Sequence, residues 1–232
     1  MPAPFEENGQ QVMHKMYYIK VVRRKGQKIA DWSRAQKNGN NQVISKLKSM
    51  DAFSLWKSER ELEGKQSVYL NRLALSDGPR LSDLANNRKI WDNVRDYFPH
   101  PYTTAHAYDF IQALSSSETL QYTYAIRQKG EHLCGVIGLH TQSDIYRKSA
   151  ELGYWVGEPY WNQGIASQAV QQMLDFGFHG LGLVRIFASV FSFNLASARV
   201  LEKNGFLLEG IARSAAFKND CLVDECRYAC VK

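Results

Sequence analysis

A change of hydrophobic period two-thirds of the way along the chain limits its fold more than any other feature. Ala150 to Val156 reads as an apolar strand. From Gly164 the apolar residues recur at helical spacing, with Ala166, Ala169, Val170, Met173, Leu174 and Gly177 on one stripe. Val184, Ile186, Ala188 and Val190 then alternate as a strand, and a second helix is expected from about Leu195 to Asn204. Asn194 is placed to cap its start, and Gly205 supplies the left-handed residue that ends it. Phe206 to Ala212 and Leu222 to Val231 read as two further strands. A strand, helix, strand, helix, strand order needs a sheet with helices laid on its faces.

The preceding segment adds hairpins to this core. Val68 to Leu75 reads as a strand, and Ser76-Asp77 with Pro79 form a cap and first turn leading into Leu81, Leu84 and Ala85 at helical spacing. Ile90, Trp91 and Val94 suggest a short second helix. Phe98-Pro99-His100-Pro101-Tyr102 must be a rigid extended loop, since each proline fixes its own φ and keeps its predecessor out of the helical region. Thr103 or Thr104 caps a helix through Tyr108, Ile111 and Leu114. Leu120 to Arg127 and His132 to His140 flank Lys129-Gly130 and predict an antiparallel hairpin. The expected class is therefore α+β, a mixed αβ domain with hairpins at both ends.

The 232 residues suffice for one well-buried domain with some chain left over. No run of about 18 apolar residues is present to span a bilayer, and the first residues lack the pattern of a secretion signal, so a cytoplasmic location and no membrane contact are expected. Cys134, Cys221, Cys226 and Cys230 form no C-x-x-C pair and predict reduced thiols packed in strands, with no metal. Residues 1–66 hold 13 Lys and Arg against 7 Asp and Glu, which accounts for the whole net charge of +6. They are read as a basic, loosely structured extension, and 67–232 as the domain. The extension is either an arm for an acidic partner such as RNA or the ribosome, or a peripheral segment with Met50 as the real start. The neutral body argues against nucleic-acid binding by the domain itself.

The chemistry concentrates where Ala150 to Val156 meets the helix at Gly164. A glycine-containing turn between a strand and a helix start offers backbone N–H groups and the positive helix end to an anion such as a pyrophosphate. Here the turn is Trp161-Asn162-Gln163-Gly164-Ile165-Ala166-Ser167, in which Gly164 and Ala166 let the backbone approach phosphate oxygens. Small residues also open helices for packing reasons, so the turn alone does not decide.

Three blocks decide further. Glu151-Leu152-Gly153-Tyr154-Trp155-Val156, then Pro159 through Ser167, and later Asn194-Leu195-Ala196-Ser197-Ala198-Arg199 through Asn204-Gly205-Phe206 resemble the GNAT superfamily of N-acetyltransferases. More narrowly they resemble the RimJ/RimL branch of ribosomal-protein alanine N-acetyltransferases, over roughly Val68 to Val231. The resemblance implies a twisted, mostly antiparallel sheet splayed into a V that holds acetyl-CoA as co-substrate. It implies cofactor contacts from Tyr154, Trp155, Val156, Asn162, Gln163, Gly164, Ile165, Ala166, Ser167, Asn194 and Ser197, with the Val156 N–H facing the oxyanion.

An amine must lose a proton before attacking a thioester. Glu151 is the candidate base, with a solvated strand carboxylate as the alternative. The departing thiolate needs a proton, and many members of the superfamily place a tyrosine seven residues after the helix Asn. Leu201 stands there in this chain, and Ser197 is the serine that the RimJ/RimL branch offers instead, unless it serves only to cap the helix. Where ribosomal-protein enzymes of this branch carry a glutamate in the loop after Glu209-Gly210, this chain has Ala216, with Ala215 and Phe217 beside it. The acceptor is expected to be a peptide N-terminus, with a small amine such as a polyamine, aminoglycoside or amino acid as the alternative; the rival from another class is a CoA-binding module without useful turnover, brought to the ribosome or RNA by the basic head. Tyr102, Tyr122, Tyr124 and Trp155 are candidates to line its pocket, core packing being the alternative. A monomer or homodimer is expected.

Overall fold

The computed structural model describes residues 51–58, 67–116, 122–128, 130 and 132–232. The expectations for the first fifty residues lie outside this range. Seven strands build a single sheet in the order β1-β2-β3-β4-β5-β7-β6. They are β1 (Val68–Asn71), β2 (Thr123–Gln128), β3 (Leu133–Thr141), β4 (Ser149–Val156), β5 (Arg185–Phe191), β6 (Leu207–Lys218) and β7 (Cys221–Val231). Every neighbouring pair is antiparallel except β4 and β5, which run parallel because the helix between them carries the chain back across the sheet. The mixed αβ class and its mostly antiparallel sheet are thus as expected.

Helices cover both faces. Among the described residues the α-helices are α1 (Ala52–Ser58), α2 (Gly78–Ala85), the single turn α3 (Arg88–Trp91), α4 (Thr104–Ser116), α5 (Ile165–Asp175) and α6 (Leu195–Lys203). On one face Ile165, Ala169, Val170 and Met173 of α5 and Leu201 of α6 meet Ala150, Leu152, Ile186, Ala188 and Tyr228 of the sheet. On the other, Leu81, Leu84 and Ala85 of α2 and Ala107 and Ile111 of α4 pack on Ala125, Leu133 and Val136. The α5 stripe starts at Ile165, which is buried, while Ala166 stays half-buried.

Helix α1 had no strong signal in the sequence, being only seven residues long, yet it belongs to this domain. Phe53 and Trp56 are 1% and 9% exposed. Phe53 contacts Tyr124 at 5.0 Å and Phe176 at 5.2 Å between ring centres. The compact unit accordingly runs from Ala52 to Lys232.

The remaining elements follow the sequence closely, with two differences. β1 ends at Asn71 because Asp77 turns back to accept the Ala74 N–H at 2.8 Å, closing a turn before α2. β6 continues well past Ala212 to Lys218, so Ala216 and Phe217 lie on a strand paired with β7, and Ala215 at the irregularity just before them, rather than in a loop. Asn219 and Asp220, both at positive φ, make the tight turn between them. Its base is held by Lys218, whose Nζ lies 2.6 Å from Asp96 and 3.4 Å from the Trp91 ring centre. Cys134 is buried in β3 as expected, whereas Cys221 is exposed at the start of β7.

Candidate active site

The parallel register between β4 and β5 covers only Ser149↔Arg185, Ala150↔Ile186 and Glu151↔Phe187. Beyond Glu151 the two strands diverge, while β4 stays paired with β3 to its last residue, Val156↔Gly135. Backbone groups of a strand alternate in direction. The Gly157 N–H donates to the Cys134 carbonyl at 2.8 Å, so residues 151, 153, 155 and 157 turn their peptide groups to β3. Leu152, Tyr154 and Val156 turn theirs into the fork. Trp155 therefore offers the fork no backbone group, and its ring lies on the α2–α4 face, 5.9 Å from Phe98. The Val156 carbonyl accepts from the Trp161 indole N–H at 2.6 Å, leaving the Val156 N–H as that residue's donor to the opening.

Gly135 makes this edge possible. A Cβ there would lie 2.2 Å from the Trp155 carbonyl oxygen and 2.8 Å from Val156 Cα, so only glycine lets β3 approach so closely.

The turn after β4 is braced from several sides. Besides the indole bond, Gln163 Nε2 donates to the Pro159 carbonyl at 2.9 Å, and Arg80 donates to the Tyr160 hydroxyl at 2.9 Å. Glu158 accepts from Asn87 at 2.7 Å and pairs with Lys89, and these bonds hold its carboxyl below the usual carboxylate range. Asn162 and Gly164 take positive φ, 58° and 74°, and lead into α5. Gly164 is the N-cap, and no side chain caps the helix. Its first intrahelical bond is Gln168 N–H to the Gly164 carbonyl at 3.1 Å, so the N–H groups of Ile165, Ala166 and Ser167 have no acceptor within the helix. Asn162, Gln163 and Gly164 are exposed here, so an anion has open access to the helix mouth. A groove of about 620 Å³ continues from Ser167 and Gln168 along α5 to Lys203 and Asn204 at the end of α6.

The other candidates stand on opposite faces of the fork. Glu151 occupies the last parallel pair, at the root of the opening. Its side chain shares the face of Trp155, and Oε1 receives Arg95 at 2.5 Å. Asn194 caps α6 through its side-chain oxygen, which accepts the Ser197 N–H at 3.1 Å. The Ser197 side chain is therefore not the cap. Its hydroxyl lies 2.9 Å from that of Tyr154, on the α5–α6 face. The spacing of a strand and a helix does not reveal which side chains meet, so this contact is visible only in the structure. Burial pushes the Tyr154 phenol up to about 12, and its bond to Ser197 opposes that in part.

Among the aromatic candidates, Tyr124 is wholly buried beside Phe53 and Tyr102 packs on Phe98, so both are core. Among the described residues no helix is long and apolar enough to cross a membrane, and no group of three or more His, Cys, Asp or Glu is arranged to hold a metal ion.

Comparison with known proteins identifies the family to which this splayed strand pair and glycine-led helix belong. Residues 67–207 match the family model described as an acetyltransferase (GNAT) domain, so the chain belongs to the GNAT N-acetyltransferases. An uncharacterized N-acetyltransferase, YoaA, of Bacillus subtilis (strain 168) is 39% identical over 106 residues, covering 46% of this chain and 59% of that protein. A ribosomal-protein-serine acetyltransferase of Escherichia coli (strain K12) is 37% identical over 131 residues, 52% of this chain and 73% of that protein. Among solved structures, the ribosomal L7/L12 alpha-N-protein acetyltransferase RimL in complex with coenzyme A superposes with a TM-score of 0.63 at 26% identity. That match covers 72% of this chain and 95% of the other.

Proposed function

We propose that this protein transfers the acetyl group of acetyl-CoA to a primary amine, and that the amine is the N-terminus of a protein or peptide. The observation that carries the reading is the fork: β4 leaves β5 after Glu151 and keeps the peptide groups of Tyr154 and Val156 facing the gap. The pantetheine arm completes the sheet there, as a short substitute strand. Its pyrophosphate sits on the N–H groups of Ile165, Ala166 and Ser167, with Asn162, Gln163 and Gly164 forming the approach. The nucleotide end then follows the groove toward Lys203 and Asn204.

This placement directs the thioester carbonyl toward the Val156 N–H, which stabilises the oxyanion of the tetrahedral intermediate. The amine arrives on the α2–α4 face, where Glu151 takes a proton from it, directly or through water. Arg95 holds one carboxylate oxygen of Glu151 and leaves the other for this work. The thiolate departs on the α5–α6 face, toward Ser197. Base and leaving-group donor on opposite faces suit direct transfer from thioester to amine with no covalent enzyme intermediate. Much of the rate comes from holding two reactants in line.

The peptide reading draws on the ribosomal-protein enzymes among the relatives. An acceptor panel tests it, with peptides beginning in Ala or Ser, polyamines, aminoglycosides and free amino acids scored by release of free CoA thiol. The peptides are expected to turn over fastest. Turnover of a small amine with none of the peptides would assign the enzyme to the small-amine class.

A further inference from the structure

Behind the fork, on the α5–α6 face, the side chains of Tyr154 and Ser197 form a pair that bears on how the thiolate leaves. Tyr154 packs its ring against the larger core cluster and extends its hydroxyl across to the first turn of α6. Two acceptors await it there, Ser197 Oγ at 2.9 Å and the Ser197 carbonyl oxygen at 3.3 Å. A hydroxyl-to-oxygen hydrogen bond is ordinarily about 2.5–3.0 Å long, so the contact to Oγ is the working bond. Because Asn194 already satisfies the Ser197 N–H, the serine hydroxyl has no capping duty and one hydrogen of its own to place.

Two arrangements of that pair are possible in principle. With the serine donating to the phenol, its only hydrogen is committed to that bond. With the phenol donating to serine, the serine hydrogen is free to point into it. The Ser197 carbonyl, 3.3 Å from the phenol oxygen, can only accept, so the phenol hydrogen is directed toward the Ser197 oxygens and the phenol is the donor of the pair.

We propose that Tyr154 is a positioning residue for Ser197, its O–H donating to Ser197 Oγ so that the serine O–H is aimed at the sulfur of the departing CoA. The inference rests on the acetyl-transfer reading above and on Ser197 as the leaving-group donor. In the step concerned, the bond between the amine nitrogen and the acetyl carbon has already formed. The oxyanion re-forms its carbonyl, the carbon–sulfur bond breaks, and its electron pair stays on sulfur. Sulfur takes the serine proton, and serine recovers one from the protonated nitrogen of the new amide through water. One amine and one thioester become one amide and one thiol, while Tyr154 keeps its proton throughout.

The test compares the full-length protein with Tyr154→Phe, Ser197→Ala and the double variant, using acetyl-CoA and a peptide beginning in Ala or Ser. Each is measured for kcat, for KM and for the Kd of CoA. Ser197→Ala is expected to lower kcat about a hundredfold, the lower end of what a positioned proton donor supplies. Tyr154→Phe is expected to lower kcat about tenfold, the worth of one neutral hydrogen bond, with the CoA Kd within about twofold of wild type. The double variant is expected to be no slower than Ser197→Ala alone, since the tyrosine acts only through the serine. If Tyr154→Phe slows the reaction by the same factor with or without Ser197, or weakens CoA binding as much as it lowers turnover, the positioning role is overturned. Undiminished kcat in Ser197→Ala would instead remove the serine from the mechanism, and the inference with it. Detectable acetyl transfer by wild type in either case keeps the broader reading separate.

Discussion

Replacing Gly164 separates conformational strain from crowding at the helix mouth. The residue sits at φ 74° and ψ 3°, in the left-handed region. A Cβ added there would meet only Gln168 Nε2, at 3.9 Å, which is ordinary contact. Gly164→Ala therefore introduces no clash, and its whole cost is the left-handed backbone, about 1–2 kcal/mol for an L-residue. Where that cost appears depends on whether the turn yields. If the turn holds, the folded state loses about 1–2 kcal/mol, a fall in Tm of about 2–8 °C for a domain of this size. If the turn rotates instead, Tm is spared, but the N–H groups of Ile165, Ala166 and Ser167 swing away from the pyrophosphate and CoA affinity falls by about 5–30-fold. The two losses share one energy, so a variant showing half of one should show about half of the other. Gly164→Asn supplies the control, because Asn is larger yet tolerates positive φ better than Ala. Thermal denaturation without ligand and calorimetric titration with CoA, run on all three proteins, decide the matter. An Ala variant equal to wild type in both measurements, or an Asn variant more damaged than Ala, would refute the reasoning.

Three further outcomes follow from the packing and the ionisable groups. Phe53→Ala should destabilise the protein by about 3–5 kcal/mol, as loss of a buried aromatic does, measured by denaturant unfolding; a cost under 1 kcal/mol would detach α1 from the core. Gly135→Ala should raise KM for acetyl-CoA or lower kcat by more than tenfold, since its Cβ must displace the Trp155–Val156 peptide; unchanged kinetics would mean that this peptide does not face the thioester. Tyr102 and Tyr154 both have phenols raised to about 12 by burial, so the unfolded chain releases these protons first, from about pH 10 upward. Each should therefore remove up to about 1.4 kcal/mol of stability per pH unit between pH 10 and 12, with no effect at neutral pH, and Tyr154→Phe should show a shallower alkaline decline than wild type.

The frame of this fold was legible because its core elements carry unambiguous periods and punctuation. The Ala169, Val170, Met173 and Leu174 stripe of α5, the alternation of Ile186, Ala188 and Val190, and the Asn194 cap all depend on local chemistry and stand where the sequence places them. The left-handed turn at Gly205 was equally visible, since glycine takes positive φ at least cost. What escaped was set by contacts between distant parts of the chain. Helix α1 is too short for a period to show, and its two buried aromatics matter only because Phe176 and Tyr124 wait for them. β6 extends to Lys218, past a break in register between Ala212 and Ala216, because Ala216, Phe217 and Lys218 find partners in Val223, Leu222 and Cys221 of β7. Within the candidate site, the backbone turn and the Asn194 cap were readable, whereas the Arg95 partner of Glu151 and the Tyr154 partner of Ser197 come from elements 56 and 43 residues away.

The proposed acetyl transfer requires the gap between β4 and β5, with the mouth of α5, to be a seat for CoA. Equilibrium titration of CoA and of acetyl-CoA into the folded wild-type protein tests it most directly. Saturable binding of one molecule per chain is predicted, lost in step with disruption of the turn at Gly164 and accompanied by a rise in Tm. A protein that unfolds cooperatively yet binds neither compound at millimolar concentration would contradict it.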